Sequence, residues 1–108
     1  MRLVRTIYDL TKTFPKEEIY GLVAQMRRAA VSVPSNLTEG AARSSRKEFS
    51  QFLSMAKGSL SELETQLLIS ADLGYLDLGN GVFDLAEQVA KLLTGLHRKA
   101  IVSKDERE

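Results

Sequence analysis

Four stretches of this chain place apolar residues three and four positions apart, and none sustains alternation two apart. Only a helix brings positions spaced in that way onto one face. The first stripe is Leu3, Ile7, Leu10 and Phe14. The second is Ile19, Val23, Met26, Ala30, Val33 and Leu37. The third runs Phe49, Leu53, Ala56, Leu60, Leu63 and Leu67, and the fourth Val82, Ala86, Val89, Leu93, Leu96 and Ala100. Steps that average 3.5 residues suit helices crossing at the shallow angle of a bundle. A chain of 108 residues fits one domain. The spacing therefore predicts an all-α fold, an antiparallel up-down four-helix bundle over residues 1–102, with a polar tail at 103–108 that frays.

Local signals mark the ends of these helices. Pro15 suits a first helical position, with Glu17 and Glu18 placed for the helix dipole. Ser45-Arg46-Lys47-Glu48 is a capping-box sequence, so a third helix starts there. Gly74, in Leu73-Gly74-Tyr75, supplies a left-handed cap, and Asn80 an N-cap for the fourth helix. The second stripe keeps its register straight across Pro34, which favours one long helix kinked there over two shorter ones turning at Val33-Pro34-Ser35. The proline would leave the Ala30 carbonyl without its usual donor. Gly40 loosens the pattern before the turn. Gly21, Gly58 and Gly95 fall inside predicted helices, through close backbone approach or on an exposed face.

Composition removes whole classes of chemistry. There is no cysteine, hence no disulfide framework, no thiolate catalysis and no Cys-ligated metal. The single histidine, His97, is expected to face solvent. Glu62 and Glu64, two apart on a helix, point in different directions. No Walker-type loop, dinucleotide-type glycine motif or HExxH is present. A non-enzymatic protein with no catalytic residues, no metal and no cofactor is the expectation. No run reaches the roughly 18–20 apolar residues that a bilayer crossing needs, and the apolar residues of MRLVRTIYDLTKTF are interrupted. A cytoplasmic protein without a membrane partner follows.

The formal net charge of +1 hides a polarised chain: residues 1–47 carry +5 and residues 48–108 carry −4. Three readings are open: head-to-tail association, a basic face for phosphates, and pairing of opposite charges across neighbouring helices. Two constellations stand out. Gln25, Arg28, Ser32, Asn36 and Glu39 recur at steps of 3, 4, 4 and 3, a polar row along one side of the second helix. It either stabilises a kinked helix facing water or forms a buried polar seam, inside the bundle or between subunits. In a seam, Arg28 and Glu39 need partners. They lie about 16 Å apart on the helix, so a neighbouring subunit would have to supply them. The second constellation is Arg27, Arg43, Arg46, Lys47 and Lys57, a basic group assigned to the turn between the second and third helices, where nucleic-acid phosphate is a reasonable ligand. Phe49 and Phe52 read as core, which leaves only Tyr20 or Tyr75 for base stacking.

Residues 21–76 closely resemble the four-helix-bundle family of 23S rRNA intervening-sequence proteins. The resemblance is carried by Gln25-Met26-Arg27-Arg28-Ala29-Ala30, Val31-Ser32-Val33-Pro34-Ser35-Asn36 and Glu39-Gly40. It continues through Lys47-Glu48-Phe49, Phe52-Leu53, Ala56-Lys57-Gly58-Ser59, Glu62-Leu63-Glu64-Thr65 and Leu73-Gly74-Tyr75. Phe14-Pro15-Lys16-Glu17-Glu18 extends it towards the N-terminus, although a first helix opening at Met1-Arg2-Leu3 is shorter than the family's. The resemblance implies an up-down bundle assembled as a homopentamer, similar to an accessory factor of diversity-generating retroelements that binds nucleic acid and a reverse transcriptase. RNA or a nucleoprotein is the expected partner, and a protein-interaction scaffold without nucleic acid is the alternative.

Overall fold

In a computed structural model the four stripes close on one another as α1 (Arg2–Thr11), α2 (Leu22–Ala41), α3 (Arg46–Asp72) and α4 (Val82–Arg107). A short 3-10 turn at Lys16–Glu18 lies between the first two. The structure describes the backbone of residues 1–107 and the side chains of residues 1–101, so the polar tail expected over 103–108 falls outside the described side chains. Helix α1 packs on α2 and α4, α2 on α3, and α3 on α4, while the two diagonal pairs do not approach among the described residues. Neighbours therefore form a ring around one core. Side-chain contacts of Met26 with Ser70 and of Ser32 with Ser59 show that α2 and α3 run antiparallel.

The core is built from the predicted positions. Leu3, Ile7, Phe14, Val23, Met26, Ala30, Val33, Leu53, Ala56, Leu60, Leu63, Leu67, Val82, Ala86, Leu93 and Ala100 are buried. Burying each large aliphatic side chain contributes about 1.5–3 kcal/mol, which is what fixes the helix faces. Leu10, Leu37, Phe49, Val89 and Leu96 are partly buried against this cluster. Ile19 departs from the expectation: it is 49% exposed. The chain leaves the 3-10 turn and enters α2 only at Leu22, with Gly21 as N-cap at φ −108° and ψ −109°. Ile19 thus precedes the helix whose stripe it was assigned to, and Gly21 is a cap rather than an interior position. Pro15 opens the 3-10 turn and not α2.

The helix ends follow their sequence signals closely. The Ser45 hydroxyl accepts from the Glu48 amide at 3.1 Å and donates to the Glu48 carboxylate at 3.3 Å, a capping box closed through the hydroxyl. At the end of α3, Gly74 takes φ +83°. The Tyr75 amide donates to the Ser70 carbonyl at 2.9 Å and the Gly74 amide to that of Ala71 at 3.0 Å. That bond pair is the Schellman motif, which needs a residue tolerant of the left-handed region. The Asn80 side chain accepts from the Val82 amide at 2.9 Å. Helix α2 runs as one element across Pro34. Asn36 donates to the Ser32 carbonyl at 2.8 Å, not to that of Ala30, the carbonyl the proline frees.

Gly40 does more than loosen the pattern. It is buried inside α2, and a Cβ there would fall 2.7 Å from the Cβ of Phe52 and 3.0 Å from Phe49 Cδ1. The nearer of these is tied to the α3 backbone and cannot swing away. A Cβ at Gly58 or Gly95, by contrast, would meet open space. At the opposite end of the bundle, the Tyr75 hydroxyl donates to Glu18 Oε2 at 2.8 Å, and its ring lies 5.2 Å from that of Phe14. This hydrogen bond to Glu18, aided by desolvation, raises the Tyr75 pKa above 10.0.

Gly40→Ala is expected to lower the unfolding free energy in urea by about 1–3 kcal/mol, whereas Gly95→Ala raises it by up to about 1 kcal/mol. Equal effects at the two sites would remove the close-approach argument. For Tyr75 the folded pKa exceeds the unfolded one, so its contribution to stability is complete below pH 10 and lost as pH rises through the folded value. Alkaline melts of Tyr75→Phe should show a shallower loss of stability above pH 10 than the native chain.

Candidate functional site

Four residues, Ala42–Ser45, join α2 to α3, so the last turn of one helix and the first turn of the other share one end of the bundle. Arg43, Arg46 and Lys47 all stand exposed there. Arg43 and Arg46 line a shallow hollow of about 330 Å³ together with Gly40, Ala41, Ser44, Ser45 and Phe49, and Lys47 follows Arg46 in the first turn of α3. The close approach at Gly40 creates this geometry by bringing the two helix ends together. The Arg43 guanidinium lies 5.0 Å above the Phe52 ring and 3.3 Å from Glu39 Oε1, which orients it across the turn. The amides of Arg46 and Lys47, in the first turn of α3, have no intrahelical acceptor available, which adds positive potential.

Two of the five basic residues assigned to this turn stand elsewhere. Arg27 sits sixteen residues before Arg43, about 24 Å away along α2. Its Nε donates to the Thr11 hydroxyl at 2.9 Å, another nitrogen reaches the Tyr8 carbonyl at 3.3 Å, and the guanidinium covers the Tyr8 ring at 4.6 Å. Arg27 thus clamps α1 onto α2. The sequence offered no spacing that links these positions, because the contact joins two helices. Lys57 lies three turns along α3 and faces α4, where it lines a hollow with Thr94, His97, Arg98 and Ile101.

The polar row of α2 divides. Ser32 and Asn36 are half-buried: the Ser32 and Ser59 hydroxyls lie 2.8 Å apart, and Asn36 Nδ2 donates to Ser32 Oγ at 3.0 Å. This small network joins α2 to α3 inside one chain. Gln25, Arg28 and Glu39 are exposed. Glu39 finds its partner in Arg43 of the following link, so it needs none from a neighbouring subunit.

The charge polarity of the sequence becomes an axial one. The cations of the α2–α3 turn occupy one end. Glu17, Glu18, Asp72, Asp77 and Asp84 gather at the other, around the 3-10 turn and the link between α3 and α4. The ion pairs among the described residues, Asp9–Lys12, Glu39–Arg43 and Glu87–Lys91, are each local, three or four residues apart. None pairs charges across neighbouring helices. Tyr20, 96% exposed, stands at the acidic end and away from the cations, and Tyr75 is engaged with Glu18. Neither offers a stacking platform beside the basic turn.

His97 is not solitary. Its Nε2 lies 3.1 Å from Ser50 Oγ and 3.4 Å from Ser54 Oγ. Both hydroxyls meet the same nitrogen, and no carboxylate bonds the ring among the described residues. No helix is long and apolar enough to cross a membrane, and no group of three potential metal ligands occurs among the described residues.

The family model described as 23S rRNA-intervening sequence protein matches residues 1–95. No curated protein matches the chain. Ser32→Ala would strip Ser59 and Asn36 of a shared partner, and is expected to cost about 1 kcal/mol of unfolding free energy. A chemical melt of that variant checks whether the network couples α2 to α3.

Proposed function

The chain belongs to the 23S rRNA-intervening sequence protein family, and from that premise we propose that it works by binding: an oligomeric helical bundle that associates with RNA through its α2–α3 turn. The observation that carries the reading is that Arg43 and Arg46 line one hollow beside the N-terminus of α3, with exposed Lys47 next to Arg46 in that first turn. Phosphate oxygens suit this surface, whereas exposed aromatic rings for reading bases are missing from it. Binding would therefore rest on the nucleic-acid backbone and depend little on sequence. The resemblance to ring-forming relatives extends the proposal to a homopentamer, whose mass light scattering coupled to size exclusion reads directly. Open space beside Gly58 and Gly95, each in a helix where alanine would be preferred, supports a neighbouring chain against α3 and α4.

Affinity for a single-stranded oligoribonucleotide is expected to fall linearly on a logarithmic salt scale, by about 0.7 per phosphate contacted. The Arg43→Ala/Arg46→Ala/Lys47→Ala variant should lose binding while keeping its helical circular dichroism. Binding that ignores salt, or survives in that variant, would sink the assignment.

A second reading has its own observation. At the acidic end Ile19, Tyr20, Leu73 and Leu78 are all exposed. Exposed apolar residues among carboxylates disfavour phosphate and suit a basic protein segment. On this reading the bundle is a scaffold that recruits a protein without contacting nucleic acid, and a pull-down from nuclease-treated extract separates the two.

A further inference from the structure

Beyond the turn, the groove between α3 and α4 gathers a second set of anion-binding groups. Lys57 from α3 and Thr94, His97 and Arg98 from α4 line one hollow of about 250 Å³, closed on a further side by Ile101. The two cations are 41 positions apart in sequence, and only the packing of α3 on α4 brings them together. Neither enters an ion pair among the described residues. Of the nearby carboxylates, Glu87 is held by Lys91 at 3.6 Å, and Glu64 lines an adjoining hollow that shares Lys57 and Thr94 but makes no ion pair with Lys57.

The imidazole is positioned rather than loose. Ser50 and Ser54 approach Nε2 at 3.1 and 3.4 Å. A serine hydroxyl that donates to Nε2 leaves the proton of a neutral ring on Nδ1, where it becomes a donor. Nδ1 makes no hydrogen bond among the described residues. The hollow thus offers a guanidinium, an ammonium and a hydroxyl to an oxyanion, with the imidazole as a further lining group. It is also continuous with the turn: Arg46, Ser50, Ser54 and Lys57 recur at steps of 4, 4 and 3, one face of α3 extending about 16 Å.

We propose that the Lys57–Thr94–His97–Arg98 hollow is a phosphate subsite that takes a backbone phosphate of the same strand bound at the α2–α3 turn. The proposal rests on the RNA reading above and adds a path and a second anchor to it. The shared chemistry is a phosphate oxyanion, so a nucleic-acid phosphodiester must be told apart from free phosphate.

His97 is the only histidine of the chain, and its ring C–H resonances report the hollow without ambiguity. The full chain is titrated with a fluorescent single-stranded oligouridylate and, separately, with inorganic phosphate. Resonances and fluorescence anisotropy are followed together. The expected result is a saturable shift of the His97 signals with the midpoint of the anisotropy curve, and a much weaker response to inorganic phosphate. Lys57→Gln/Arg98→Gln should abolish the shift and lower the salt dependence by about 0.7, the value of one phosphate on a single strand. Oligouridylate that binds without moving His97, or with unchanged salt dependence in that variant, overturns the subsite and leaves the turn standing. Inorganic phosphate acting at the same concentrations assigns the hollow to a small anion and overturns the nucleic-acid source. No binding of oligouridylate overturns both readings.

Discussion

The bundle is organised by how closely α2 can approach α3. A hydrogen in place of a side chain at Gly40 lets Phe49 and Phe52 settle against the α2 backbone. The same approach brings Ala41 and Arg46 to either end of a four-residue link. Further down, Ser32 meets Ser59, and Met26 meets Ser70, so the pair is pinned at three levels along its length. Helix α4 then fills the remaining face of α3, and the short α1 closes the ring. Both basic surfaces inherit their geometry from this arrangement. The turn exists because two helix ends are held together, and the groove hollow because α4 lies along the α3 face that carries Lys57.

Ion pairs play little part in holding the helices together. Those among the described residues are exposed and join residues three or four apart, where each contributes only a few tenths of a kcal/mol. Register between helices comes instead from apolar packing and a few half-buried hydroxyl contacts. Charge is thereby left free to polarise the molecule along its axis, cations at one end and carboxylates at the other. A strand of phosphates approaching such a body is steered towards the basic end and away from the other.

Much of this was legible in the residues. The four stripes located the core because burial follows the helical period, and the capping box at Ser45 and the left-handed Gly74 marked helix ends through strictly local chemistry. Local signals failed where a contact crosses between helices. Ile19 continued the spacing of its stripe, but Gly21 turns the chain just after it. Arg27 read as one more cation near other cations, yet Thr11 and Tyr8 take it at the far end of α2. Ser50, Ser54 and His97 carry no shared motif, because more than forty residues separate them. Periodicity specifies which face of a helix is buried, and it leaves unspecified which neighbour that face will meet.

The Arg27 clamp also divides the molecule into parts of unequal persistence. Ten residues are too few for a helix to stand alone in water. Helix α1 holds its shape only while Leu3 and Ile7 are seated and Arg27 spans Thr11 and Tyr8. Helices α2, α3 and α4 are each at least twice as long and share most of the core. Opening of α1 therefore costs less than global unfolding, so its amides exchange with solvent through a local route while those of α3 wait for the whole bundle to open. Such a detachment uncovers the core-facing sides of α2 and α4 that α1 covers and leaves the basic turn and the α3–α4 groove in place.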